Sequence, residues 1–105
     1  MYFARTVRLV PMSGRQKEVE QMLDERLEWL RTQKGFVLGM RLYDRRRPEE
    51  IGYMSLWESR EDANQVATTE HLMALNSRLA GLARDRLIEW GSAEVRNFVL
   101  EMDKV

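Results

Sequence analysis

Hydrophobic and polar positions alternate along residues 2–10, YFARTVRLV, where β-branched and aromatic side chains flank Arg5, Thr6 and Arg8. A period of two marks a strand. One face of it carries Phe3, Val7 and Leu9, the other Tyr2, Ala4, Thr6, Arg8 and Val10, and Pro11 ends it. The period then changes. Val19, Met22, Leu23, Arg26, Leu27 and Leu30 recur at steps of three and four, which predicts a helix with one inward stripe. Ser13 and Gln16 have capping-box spacing at its start. Arg31 and Lys34 suit the negative end of its dipole, and Gly35 is a natural stop because it takes left-handed geometry without strain. Residues 36–43 and 51–57 read as two more strands, joined through the charged turn DRRRPEE into a hairpin. Ser59 predicts the cap of a second helix, with Glu61 and Asp62 in its first turn and a buried stripe of Ala63, Val66, Ala67, Leu75 and Leu79. Gly81 weakens that helix near its end. Leu82 to Trp90 fits neither period, and a further helical turn is one reading of it. Residues 94–102, EVRNFVLEM, complete the pattern as a last strand.

The order β-α-β-β-α-β predicts one α+β domain over residues 1–105: a ferredoxin-like, four-stranded antiparallel sheet with both helices on one face. The opposite face would be bare. It would carry Tyr2, Ala4 and Val10, and a second copy of the chain is its simplest cover, so a homodimer is expected.

Composition narrows the function. At 105 residues there is room for one thin core. With 44% hydrophobic and 32% charged residues the chain has an ordinary globular balance. No apolar run approaches the roughly 20 residues of a spanning helix, and the charged N-terminus does not resemble a signal peptide, so a cytoplasmic protein without a membrane partner is expected. Cysteine is absent, which removes disulfides, thiolate metal sites, iron–sulfur clusters and cysteine nucleophiles. Seventeen basic residues balance seventeen acidic ones, so no field draws the chain to nucleic acid. Arg45-Arg46-Arg47 is followed at once by Glu49 and Glu50 and reads as a solvated turn. The RNA-recognition fold shares the element order, but its third strand needs a basic residue before the stacking aromatics, and here Glu49 and Glu50 precede Gly52-Tyr53. Phosphate-loop, zinc-protease and nucleophile-elbow motifs are also absent.

The element order, the Gly35-Phe36 step into the second strand, and the run Leu56-Trp57-Glu58-Ser59-Arg60-Glu61-Asp62-Ala63 resemble the antibiotic-biosynthesis-monooxygenase-like domains, which are dimeric α/β barrels. Trp57 matches the Trp those proteins place at the end of the third strand. His71 matches the second His of a pair five residues apart, and Val66 stands where the first would be. The resemblance implies one of two chemistries. Its haem-degrading branch needs an Asn, a Trp and a His where this chain has Val7, Val66 and Asn76, which argues against haem degradation. Its cofactor-free branch oxidises polyphenols to quinones with a Trp and an Asn. Trp57 fits the first, and Tyr53 stands where the second is expected.

The expectation is therefore a small cofactor-independent monooxygenase acting on a compact aromatic or quinol-type metabolite, with no cofactor and no metal. Trp57 and His71 are the candidate catalytic residues, and Tyr53, Ser55 and Arg41 the candidate substrate-binding residues. Tyr53, Ser55 and Trp57 share one strand face and could line a pocket for a flat ring, or simply pack. His71, the one histidine, suits a base or polar anchor, or is a helix-face His bonded to a neighbour. Arg41 could hold an anionic oxygen or form a surface ion pair. The alternative from another class is a non-catalytic dimeric module that binds a small ligand or serves a stress response. A roomy pocket with a polar anchor favours the first reading and a shrunken cavity the second.

Overall fold

The computed structural model describes residues 1–96 of the chain. The elements run β1 (Tyr2–Pro11), α1 (Gln16–Leu30), β2 (Phe36–Leu42), β3 (Ile51–Trp57), α2 (Arg60–Ala67), α3 (Glu70–Ala80) and β4 (Ala83–Val95). The sheet order is β2-β3-β1-β4, with every neighbour antiparallel. This is the ferredoxin-like α+β arrangement. The first strand's odd positions, Phe3, Val7 and Leu9, join Val19, Leu23 and Leu30 of α1 and Ala63, Val66, Leu72 and Leu79 of the later helices in one core. All three helices therefore pack on one sheet face.

The register shows what the other face carries. Ala4 pairs with Leu56, and Leu56 with Leu38. Thr6 pairs with Met54, and Met54 with Met40. Since partners in register point the same way, these rows make that face largely apolar, and Tyr2, Met40 and Leu42 on it are exposed.

Several local expectations are corrected. Ser13 does not cap α1. Gly14 turns left-handed at φ 77°, and the helix starts at Gln16 without a side-chain cap. Arg15 instead grips Glu18, with Nε and Nη2 donating to its two carboxylate oxygens at 2.8 and 2.7 Å. The helix ends at Leu30, so Arg31 caps it and Lys34 lies beyond. Gly35 is indeed left-handed, at φ 86°, but it shapes the entry to β2 rather than ending α1.

The second helix is two helices. Ser59 caps α2 as expected, accepting from the Asp62 amide at 3.1 Å. The break follows from two consecutive threonines. Thr68 and Thr69 turn their hydroxyls onto the carbonyls of Gln65 (3.1 Å) and Val66 (2.8 Å), and Thr69 then caps α3 through the Leu72 amide.

A strand, β4, runs over Ala83–Val95, so most of the stretch read as a possible helical turn is strand, and the expected strand at 94–102 begins inside it. Residues 97–102 of that expectation lie outside the described residues. β4 is an edge strand, mostly exposed, so it lacks a clean alternation. It also bulges. Leu9 pairs with Ile88 while Pro11 pairs with Ala83, and Asp85 and Arg86 absorb the excess chain at φ 55° and 56°.

Candidate functional site

Between the sheet and the helices lies a cavity of about 90 Å³. Its floor is the inward face of β3, where the period of two brings Tyr53, Ser55 and Trp57 side by side. Trp57 is 2% exposed. Its indole Nε1 donates to Ser55 Oγ at 2.9 Å, and Phe36 meets its ring edge-on at 5.5 Å. The indole is thus held rigidly, and the Ser55 hydroxyl, having accepted from it, keeps its own proton to donate. Ala63, Val66 and Leu72 close the cavity from above with apolar surface. At the margin stands Trp90 of β4, 52% exposed.

The polar groups come from four elements. Arg26, in the middle of α1, is only 9% exposed. Its Nε donates to Asn76 Oδ1 of α3 at 3.0 Å, and its Cζ lies 5.6 Å from the centroid of the Tyr53 ring. Burial lowers its pKa, with the nearby Tyr53 acting in the opposite sense; a guanidinium still stays charged at neutral pH. Tyr53 is 2% exposed and its hydroxyl has no hydrogen-bond partner among the described residues. Burial pushes its pKa up to about 12, against a smaller lowering by Arg26. Gly39, opposite Ser55 on β2, leaves the room this hydroxyl occupies, since a Cβ there would fall 2.5 Å from it. Arg5 of β1 donates through Nη2 to Asn64 of α2, and its Nε is buried without a partner among the described residues.

The five residues expected from sequence divide three to two. Trp57, Tyr53 and Ser55 lie together in the wall. His71 and Arg41 lie outside it. His71 is exposed in the first turn of α3, its ring stacked on Trp29 at 4.5 Å and 30°. Arg41 faces the same way as Tyr53 in register, but its long side chain reaches α1. There it pairs with Asp24, and it donates to the Glu20 carbonyl at 3.2 Å and to Tyr43 Oη at 3.1 Å. The hydrogen bond to Tyr43, with help from Asp24, raises its pKa.

Arg26, Asn76 and Arg5 were not among the expected site residues. The signal for both arginines was in the pattern. Arg26 falls within the apolar stripe of α1, and Arg5 stands between Phe3 and Val7 on the inward face of β1. A charge at a core position asks what surrounds it. Asn76 carried no such signal. Among the described residues no group of three or more His, Asp or Glu is placed to hold a metal, and no helix is long and apolar enough to cross a membrane.

A four-stranded antiparallel sheet with the helices on one face is the fold of the antibiotic-biosynthesis-monooxygenase-like domains. Solved structures agree. SnoaB, a cofactor-independent oxygenase from Streptomyces nogalater, superposes with a TM-score of 0.78 at 17% identity, covering 95% of this chain and 98% of its own. Rv0793 from Mycobacterium tuberculosis gives 0.82 at 13%, covering 95% and 100%. A candidate antibiotic biosynthesis monooxygenase from Deinococcus radiodurans gives 0.80 at 14%, covering 97% and 99%. The likeness is one of fold. No protein-family model matches the sequence, and no curated protein matches it.

Proposed function

We propose that the protein is a small cofactor-independent monooxygenase that oxidises a one-ring phenol or quinol in the cavity over Trp57. The observation that carries this reading is the buried Arg26 guanidinium beside that cavity. The fold shared with SnoaB, a cofactor-independent oxygenase, supports it. A positive charge favours the ionised form of a phenol bound next to it. A phenolate is electron-rich enough to reduce oxygen directly. One oxygen atom then enters at an unsubstituted ring carbon ortho or para to the phenolate, the other leaves as water, and the ring loses two hydrogens to become a quinone. Arg26 takes the anchoring role that sequence alone assigned to His71 or Arg41, while Trp57 and Tyr53 shape the pocket. The test is oxygen uptake by the purified protein with a panel of dihydroxy-aromatics, beside Trp57→Phe and Arg26→Met. Uptake that falls in both variants is expected; no uptake with any substrate would sink the enzyme reading.

A second reading has its own observation. The cavity, at about 90 Å³, is smaller than the roughly 300 Å³ at which ordinary ligand pockets begin. That favours a non-catalytic module binding a very small ligand. Ligand binding without oxygen uptake would select it. On either reading we propose that two copies pair through the sheet face opposite the helices, which exposes Tyr2, Met40 and Leu42. A monomer by light scattering at micromolar concentration would remove that proposal.

A further inference from the structure

We propose that this cavity is built for a compact organic anion, a one-ring carboxylate, and not for a neutral polyphenol. The inference narrows the substrate of the oxygenase proposed above and rests on that reading for its catalytic meaning, although the binding itself is read without turnover.

The argument is one of uncompensated charge. Seven arginines, Arg8, Arg15, Arg31, Arg41, Arg46, Arg47 and Arg84, each reach a carboxylate. Most of those are exposed, where an ion pair contributes little. Arg26 is far more buried than they are, and no carboxylate pairs with it among the described residues. A buried cation without a counter-charge is costly, and proteins rarely keep one. Among the described residues its guanidinium donates through Nε to Asn76 Oδ1, a neutral acceptor that supplies no counter-charge. In the same cavity wall, Arg5 Nε and the Tyr53 hydroxyl are buried donors without partners among the described residues. Two buried donors without partners among the described residues and one buried guanidinium without a counter-charge line the same cavity, which suits an acceptor that carries negative charge. A planar carboxylate fits a guanidinium's fork through two parallel hydrogen bonds. The rest of the wall is apolar or aromatic, from Val66, Leu72 and Trp57, and suits a ring. The apolar roof leaves a larger or doubly charged head without donors on that side.

The experiment is calorimetric titration of the full chain with benzoate and 4-hydroxybenzoate, against the neutral isosteres benzamide and 4-hydroxybenzamide. The wild type is compared with Arg26→Met and Arg26→Lys, each checked for folding by circular dichroism. A hydrogen-bonded charge is worth about 1.5–3 kcal/mol, so the carboxylates should bind about tenfold tighter than the amides or better. Arg26→Met should abolish that preference, leaving the amides within about threefold of wild type, and Arg26→Lys should retain part of it. The wild-type comparison stands even if a variant fails to fold. Equal binding of acid and amide, binding of neither, or an acid preference unchanged in Arg26→Met would overturn the proposal. Its failure is separable from that of the oxygenase. Oxygen uptake with a neutral hydroquinone but no preference for anions refutes this inference alone. Tight carboxylate binding with no uptake of oxygen refutes the oxygenase alone.

Discussion

Replacing Tyr53 with Phe should make the empty protein more stable. The hydroxyl of Tyr53 is buried in a residue 2% exposed and meets no hydrogen-bond partner among the described residues. Leaving such a group desolvated costs about 1–3 kcal/mol, which the substitution would recover. Against that stands the void left by one oxygen atom. At about 24 cal/mol per Å³ of residual cavity, it costs a few tenths of a kcal/mol. The aromatic ring keeps its place over β3 and its contact with Arg26, so no further packing is lost. The balance is a gain of about 1 kcal/mol. For a domain of this size that corresponds to a rise in Tm of about 4–8 °C. The assay is thermal melting of wild type and variant without ligand, at equal protein concentration because self-association would also move Tm. Urea unfolding should give a higher midpoint with an unchanged slope. A Tm that stays level or falls would refute the reasoning, since it would mean the hydroxyl is satisfied within the folded protein. The same variant should bind 4-hydroxybenzoate more weakly, because a binding site often retains groups that cost stability.

Three other outcomes are expected. The Tyr53 pKa is raised in the folded state to about 12 from its ordinary 10, so the folded protein holds that proton more tightly than the unfolded chain. The stability this confers is fully present below about pH 10 and is lost as pH rises towards 12, so urea midpoints measured at about pH 9 and pH 11 should fall more in wild type than in Tyr53→Phe. Gly39→Ala would put a Cβ 2.5 Å from the Tyr53 hydroxyl and 2.7 Å from Leu27 Cδ1; overpacking of that kind should cost about 1–3 kcal/mol, read as a lower melting temperature. Ser55→Ala strips the buried Trp57 indole of its acceptor, for a loss of about 1–3 kcal/mol by urea unfolding and a red-shifted tryptophan emission as the ring loosens.

Much of the fold was legible because each element announces itself locally. The alternation around Arg5 and Arg8 and the three–four spacing from Val19 to Leu30 both describe one buried face, and each became the inward face of its element. The floor of the cavity was legible for the same reason. A strand that is inward at Tyr53 is also inward at Ser55 and Trp57. The failures have a common cause as well. Ser13 has the right spacing to cap a helix, but whether it does so depends on the backbone at Gly14. β4 is an edge strand whose exposed residues have no reason to alternate, so its position is set by pairing with β1 and by the bulge at Asp85 and Arg86, both tertiary facts.

The sequence by itself therefore determined β1, α1 and the β2–β3 pair, which side of β1, α1 and β3 is buried, and which aromatic residues floor the site, because all of these follow from periodicity within one element. The tertiary structure alone decided which polar groups the floor meets. Arg41 and Tyr53 share a register row, yet Arg41 is drawn to Asp24 and away from the cavity. His71 sits on the helix that supplies Asn76 to the wall, but its ring lies on Trp29. Arg26 and Asn76, fifty positions apart, meet at 3.0 Å beside Tyr53. Contacts between elements depend on how the helices lie across the sheet, and no spacing along one chain encodes that angle.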